Sequence, residues 1–336
     1  MRILRTIILS LISLSLLTLF SIYACENPVT GNGGNGDDGE INPQKPQDLT
    51  VTFHDTYVKL EWKASEDAEE TGYEILRSGD LLDTVTNDVF TYVDDTFEKG
   101  YYYDYWVRTV YGDQLGVNTD QVEIFTGYLW YMKYDSGIRK LDINSGEEVH
   151  RISGVEDSSG LTWDGNYLWV SGTDPGIIYK VDTENGEIIF SFPSAHDYPS
   201  GLAYDGEYLW SVDMYVYDDG DYEWYVFYYV RYNPSTGAYV KYGKDGFGNP
   251  LTSDGDYLWA IEEDPSLRIV VINLDTMEEV HCIYLSDWPA YDDFAHDGRY
   301  LWISCKGNIY KASTGGYIID TIPVNEDYIS GITIER

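Results

Sequence analysis

The phrase Asp-Gly-x-Tyr-Leu-Trp occurs four times in the 336-residue chain, ending at Trp169, Trp210, Trp259 and Trp302. A shortened copy, Gly127-Tyr128-Leu129-Trp130, precedes them, and the five tryptophans are 39, 41, 49 and 43 residues apart. A repeat of about 40 residues is one supersecondary unit that cannot bury its apolar face alone, so neighbouring units must stack. Within one unit, residues Gly160 to Trp163, Tyr167 to Ser171, Ile177 to Val181 and Glu187 to Phe192 alternate apolar and polar and read as four strands. The turn between the last two strands also recurs, at Asp142 to Gly146, Asp182 to Gly186 and Asn233 to Gly237, with weaker versions at Asp275 to Glu279 and Ala312 to Gly316.

The first unit begins at its second strand, and the chain finishes with Ser330-Gly331-Ile332-Thr333-Ile334, an unpaired first strand. Pairing the two ends closes a ring and removes exposed strand edges. The prediction is therefore all-β, with residues 127–336 forming a five-bladed β-propeller closed by the C-terminal strand. In its style of repeat this region resembles the NHL and YVTN type of β-propeller. The Asp-Gly pair is a hairpin-turn signal, because Gly accepts the positive φ that such turns require and Asp caps them. The Tyr-Leu-Trp residues are expected to fill the wedge between blades. Both assignments make the phrase scaffold rather than site.

Residues 44–126 carry a different pattern of short alternating strands, at Leu49 to Phe53, Val58 to Trp62, Tyr73 to Arg77 and Tyr101 to Val110. Val58-Lys59-Leu60-Glu61-Trp62, Gly72-Tyr73-Glu74-Ile75-Leu76-Arg77 and Tyr103-Asp104-Tyr105-Trp106-Val107 resemble the strands of a fibronectin type III domain. That resemblance implies a β-sandwich with Trp62 in its core and Tyr103 as the hydrogen-bonded tyrosine corner. It also implies a spacer or interaction module, since catalysis is seldom hosted there.

At the N-terminus, Arg2 and Arg5 precede an apolar run from Ile7 to Leu19 that closes Ile22-Tyr23-Ala24-Cys25, which reads as an export signal over residues 1–24. Ile-x-Ala-Cys resembles the lipobox of bacterial lipoproteins, which implies cleavage before Cys25 and a palmitate-type lipid anchor on it. Glu26, where an inner-membrane retention signal has Asp, implies an outer-membrane or cell-surface destination. The alternative is an uncleaved anchor, because Thr6 to Ala24 is nearly long enough to span a bilayer. Residues 25–43, rich in Gly, Asn and Asp, form a flexible spacer in either case.

The formal net charge is −37, and removing residues 1–24 takes away two further positive charges. Such a balance repels phosphate backbones and excludes nucleic acid as a partner. Of the three cysteines, Cys282 and Cys305 remain after Cys25, and whether they pair is left open. A monomer is expected.

Binding residues are expected where the repeats differ, since repeated positions maintain the scaffold. The face opposite the Asp-Gly turns collects Glu156, Asp157, His196, Asp197, Tyr198, Glu263, Asp264, Trp288, Tyr291, Asp292, Asp293, Glu326, Asp327 and Tyr328. Three residues after each tryptophan come Lys133, Gly172, Asp213, Glu262 and Cys305, a position free of the repeat and expected to line the central funnel. The long interval between Trp210 and Trp259 holds an extra hairpin with Asp218, Asp219 and Asp221 at its tip and Tyr217, Tyr222 and Trp224 along it. Carboxylates at that tip suit Ca²⁺, but the EF-hand spacing is absent and a solvated turn accounts for them better. No cofactor is otherwise expected.

The chain contains no Gly-x-Ser-x-Gly, His-Glu-x-x-His, P-loop or Cys-x-x-Cys motif, and its five histidines are scattered. A binding protein for a protein or glycan ligand therefore ranks first. An extracellular hydrolase or lyase using Asp213 and Glu262 as a funnel pair ranks second. Glycosidases and plant-type glutaminyl cyclases built as five-bladed propellers are the resemblance behind that alternative. A structural scaffold of an envelope complex ranks third.

Overall fold

The computed structural model describes residues 44–66, 69–133, 137–153, 157–173, 175–196, 198–218, 220, 222–242, 250–262, 266–285, 288, 291–324 and 328–336, with the side chains of Glu223 and Trp224 left out. The expected signal segment, Cys25 and the spacer lie outside these residues. Among the described residues every regular element is a strand, and no helix is long and apolar enough to cross a membrane.

Two antiparallel sheets form a sandwich. One is ordered Gln47–His54, Tyr57–Lys63, Thr91–Asp94, and the other Asp80–Thr86, Gly72–Arg77, Tyr102–Tyr111, Gln114–Asn118, with Val122–Phe125 also pairing Tyr102–Tyr111. Alternation puts Val58, Leu60 and Trp62 on the inner face, where they meet Tyr73, Ile75, Tyr105 and Val107. Trp62 lies edge-on to Tyr73, 5.7 Å between centroids. The Glu98 N–H donates to the Tyr103 hydroxyl at 3.1 Å, a bond to backbone five residues upstream.

The rest of the chain builds five four-stranded antiparallel sheets. Four of them use consecutive strands, such as Ser158–Trp163, Leu168–Thr173, Gly176–Val181 and Ile188–Pro193, all within two residues of the sequence expectation. The remaining sheet is ordered Glu148–Ile152, Gly137–Asp142, Tyr128–Lys133, Gly331–Glu335, so its innermost strand comes from the far end of the chain. The five innermost strands contact one another in cyclic order, which makes the array a closed, propeller-like ring. These strands approach very closely. A Cβ on Gly160 would lie 2.9 Å from the backbone of Gly201 and Leu202.

The repeated phrase acts as one hydrogen-bonded unit. Gly165, Gly206, Gly255 and Gly298 all sit at φ between +96 and +99°, as a tight hairpin turn demands. In each turn one carboxylate oxygen of the Asp accepts the N–H groups two and three residues on, for example Asn166 at 2.9 Å and Tyr167 at 2.8 Å from Asp164. The other oxygen accepts the indole N–H of the Trp, at 2.8 Å for Trp169, 2.7 Å for Trp210, 2.9 Å for Trp259 and 2.6 Å for Trp302. A buried indole N–H needs such a partner, and the carboxylate lets the ring fill the wedge between sheets at no polar cost.

The first unit has Phe125 where the others have Asp. Its Trp130 indole donates instead to Glu335 of the closing strand, at 2.6 Å. Glu335 also takes Lys140 at 2.9 Å, so the strand that closes the sheet supplies the missing carboxylate. Phe125 is thereby free to enter the apolar cluster of Leu129, Trp302, Ile332 and Ile334.

A second ring-closing contact comes from Asp293. This buried carboxyl accepts the Phe294 N–H at 2.7 Å and the Ile332 N–H at 2.8 Å, joining the last sheet to the closing strand. Burial raises its pKa well above the ordinary carboxylate value, outweighing the two N–H bonds that favour the anion. A pKa raised on folding contributes stability that is complete below the unfolded value and is lost as pH rises through the folded one. Melting temperature is therefore expected to fall as pH climbs from about 4, and Asp293→Asn is expected to flatten that slope. An unchanged slope in the variant would show that Asp293 folds as a permanent anion.

Sandwich and ring belong to one compact unit, Pro43–Arg336. No linker separates them, because Val122–Phe125 ends the sandwich and Tyr128–Lys133 opens the ring. Each side lends the other an aromatic: Tyr128 packs into the sandwich core and Phe125 into the ring. Asn144 of the ring bonds both the N–H and the C=O of Phe125, at 2.9 Å each. The Tyr102 hydroxyl donates to Asp297 at 2.6 Å, and Glu123 pairs with Arg299 at 2.7 Å. The sandwich is thus fixed on the face that carries the Asp-Gly turns.

Candidate functional site

Asp213 and Glu262 do not form a funnel pair. Asp213 is wholly buried and accepts from the Tyr232 hydroxyl at 2.6 Å, the His196 N–H at 3.2 Å and the Ser211 hydroxyl. Burial raises its pKa, and its bonds tie the connection between two sheets to their interior. Glu262 instead pairs with Arg268 on the adjacent strand at 2.7 Å, and Arg268 continues to Glu279 at 2.8 Å. The other residues three positions after the tryptophans are equally occupied. A Cβ on Gly172 would meet the Tyr179 ring at 2.9 Å, and Cys305 is buried. Lys133 is half-buried and engaged. A position that escapes the repeat need not face the axis, because the axis belongs to the innermost strands.

Several other expected binding residues serve packing. The Trp288 indole donates to the Gly316 carbonyl at 3.0 Å, and its ring lies edge-on to Tyr310, while Tyr291 packs on the same apolar cluster. Asp292 is half-buried beside Asp293, its pKa raised by burial. Cys282 and Cys305 are both free thiols. Glu156, Asp197, Asp219, Asp221, Glu263, Asp264, Glu326, Asp327 and the Trp224 side chain lie outside the described residues. Asp218 is used by its own turn, accepting the Gly220 N–H at 2.7 Å. Among the described residues no group of three or more His, Cys, Asp or Glu side chains is arranged to hold a metal ion.

The extra hairpin is present as expected. Leu209–Asp218 and Glu223–Tyr232 are each ten residues long and pair over their whole length. Beyond the sheet this ribbon is aromatic and solvent-facing, with Tyr215 43%, Tyr217 52%, Tyr222 71% and Tyr225 56% exposed. At its root His196 stacks on Tyr228, 5.4 Å between centroids, and packs on Tyr215 at 5.2 Å. Lys241 reaches the His196 ring at 2.7 Å. Tyr198 stands exposed on the neighbouring strand.

A second feature escaped the sequence reading. On the Asp-Gly turn face, at the mouth of the ring, lies a cavity of about 310 Å³. It adjoins a cleft of about 670 Å³ against the sandwich, and the two share Asp254 and Arg336. Around this face a basic residue pairs across strands with the tryptophan in four sheets, at Lys140, Lys180, Arg231 and Lys311. Each stacks its charge on the repeated aromatics, as Lys180 does 4.2 Å from the Tyr167 ring while also pairing with Asp164 at 3.1 Å. In the fourth sheet the same register position is Val271, and His296 lies flat on Trp259 at 4.6 Å and 15°. The signal was available as one apolar residue in a basic series, but only register aligns the series.

No protein-family model and no curated protein matches the chain. Among solved structures, a chain of the nidogen/laminin complex is similar over 62% of this chain and 98% of its own, at 13% identity and a TM-score of 0.43. Glutaminyl cyclase of Myxococcus xanthus is similar over 53% of this chain and 70% of its own, at 12% identity and a TM-score of 0.37. Likeness at this level bears on neither ligand nor activity.

Proposed function

We propose that the chain is a surface-tethered, extracytoplasmic binding protein: a lipidated Cys25 and spacer, a fibronectin type III domain over 44–126 and a five-bladed β-propeller over 127–336. The tyrosine-faced ribbon of Leu209–Asp218 and Glu223–Tyr232 is its contact surface for a protein partner. The observation that carries this reading is the exposure of Tyr215, Tyr217, Tyr222 and Tyr225 on a protruding element. Ligand pockets for small molecules are concave, whereas rigid amphipathic tyrosines on a projecting surface suit a protein contact. The core position of Trp62 and the Tyr103 bond to Glu98 support the sandwich assignment. The cyclic order of the innermost strands supports the blade count. The hydrolase alternative loses its basis in Asp213 and Glu262, since one carboxyl is buried and the other ion-paired.

A photo-crosslinking residue at position 217 in cells is expected to capture one discrete partner band, and the same residue at Tyr317, 77% exposed on another sheet, is not. Identical patterns from both positions would reject the ribbon as the contact. Cys25→Ser is expected to release the protein from membranes and abolish labelling by palmitate. Labelling that persists would reject the anchor.

A further inference from the structure

The ribbon of Leu209–Asp218 and Glu223–Tyr232 carries charge of one sign as well as exposed tyrosine. Residues 214–228 include Asp218, Asp219, Asp221 and Glu223 and no Lys, Arg or His. With a formal net charge of −37 on the chain, an acidic ribbon projects from an acidic body.

Register gives this surface its form. Tyr198 pairs with Met214 and Tyr242 with Tyr229, and among the described residues the two strands beyond those positions pair only with each other. Both outer edges of the ribbon are therefore open to a further strand. Tyr215 and Tyr217, two residues apart, share one face, and Tyr225, opposite Val216, lies on the other. The two side chains on the first face are spaced about 7 Å along the strand, as are alternate side chains of any extended segment laid beside them.

Elsewhere in the ring, tyrosine faces are already covered by cations of the chain itself. Lys140 lies 4.0 Å from the Tyr128 ring, Lys180 4.2 Å from Tyr167, Arg231 4.5 Å from Tyr208 and Lys311 4.1 Å from Tyr300. Three of these cations also pair with a carboxylate, Lys140 with Glu335, Lys180 with Asp164 and Lys311 with Glu123. The ribbon repeats the aromatics and the carboxylates, but the chain supplies a cation only at its root, where Lys241 lies 5.3 Å from the Tyr228 ring. Among the described residues no cation lies over the half-exposed Tyr215 or Tyr217. An apolar partner would strip water from the tip carboxylates without replacing it, and an acidic one would be repelled. A guanidinium can stack on a tyrosine and donate to a carboxylate, and its planar fork suits both contacts better than an ammonium does.

We infer that the ribbon receives an extended, arginine-rich segment of a partner protein, which adds along a ribbon edge and sets arginines at alternate positions over Tyr215 and Tyr217. The assignment rests on the reading of the ribbon as a protein contact and adds to it the charge and spacing of the partner.

The test is fluorescence anisotropy of labelled peptides with the full chain in a zwitterionic detergent, at physiological ionic strength. A peptide of alternating arginine and threonine is expected to bind at least tenfold more tightly than one of the same composition in which pairs of arginines alternate with pairs of threonines, so that no two arginines are two residues apart. Equal binding of these two would show attraction to bulk charge alone and overturn the inference. Tyr215→Leu with Tyr217→Leu keeps apolar area and removes the aromatic faces, and is expected to weaken the alternating peptide at least tenfold, whereas Tyr215→Phe with Tyr217→Phe is expected to retain it. Tyr284→Leu with Tyr317→Leu, at positions 64% and 77% exposed on other sheets, is expected to change nothing. Unchanged binding in the ribbon leucine pair, or no binding of the alternating peptide, would also overturn the inference. A discrete partner captured at position 217 while no arginine peptide binds would overturn the inference and leave the ribbon contact standing. Capture that the alternating peptide displaces would support both.

Discussion

A chain ending at residue 328 is expected to lose the cooperative unfolding of its ring. The missing strand, Gly331–Glu335, pairs with Tyr128–Lys133, and no other strand can take that edge without breaking its own sheet. Ile329, Ile332 and Ile334 would leave the cluster built on Leu129 and Trp302. Truncating a buried isoleucine alone typically costs about 2–5 kcal/mol, and the net stability of a domain is about 5–15 kcal/mol. Three such losses approach that whole margin before polar contacts are considered. Asp293 would be left buried without its Ile332 donor, and the Trp130 indole without Glu335. Thermal unfolding followed by tryptophan fluorescence should then show a red-shifted spectrum and no sharp transition. A sharp transition near the wild-type temperature would mean that the ring does not depend on its closure.

Trp302→Ala is expected to destabilise the protein by about 3–5 kcal/mol, the range for truncating a buried aromatic. Trp302 is 1% exposed and packs between the last sheet and the closing strand, against Ile332 and Ile334. Its Asp297 partner also accepts from Tyr102 of the sandwich, so the substitution disturbs the junction as well as the wedge. The equivalent change at Trp259 is expected to cost less, because that ring is 8% exposed and stacks on His296 rather than on a closing strand. Urea midpoints of the two variants test the order. Equal midpoints would show that the junction adds nothing to the Trp302 site.

The scaffold was legible because its rules are local. A Gly at positive φ, an Asp two and three residues before the N–H groups it caps and a Trp five residues beyond that Asp are all set within six consecutive positions, so the phrase could be read as turn and wedge. What the phrase concealed was its internal bond. Asp and Trp were assigned separate tasks, yet the carboxylate performs both, and the absence of Asp before Trp130 was the clue that Glu335 completes the set.

The sites were less legible because side-chain direction depends on the register between strands and on what lies across them. Asp213 and Glu262 occupy the same repeat position. One is buried under Tyr232 and the other lies against Arg268, and neither outcome follows from the neighbours of either residue in the chain. The aromatic ribbon was visible as an insertion, since length alone announces it. The turn-face cavity was not. It arises where Val271 interrupts a basic series, where His296 from the next sheet covers Trp259, and where Arg336 arrives from the far end of the chain.

The sequence by itself determined the strand order, the turns, the wedges and the closure of the ring, because a repeated unit must place equivalent residues in equivalent surroundings. Only the tertiary structure decided which carboxylates are buried, how the sandwich sits on the ring and where the turn-face cavity opens. The burial of Asp213 depends on how its strand aligns with that of Tyr232, and the seating of the sandwich and the closure of the ring on contacts about two hundred positions apart, Tyr102 with Asp297 and Trp130 with Glu335, which no local pattern specifies.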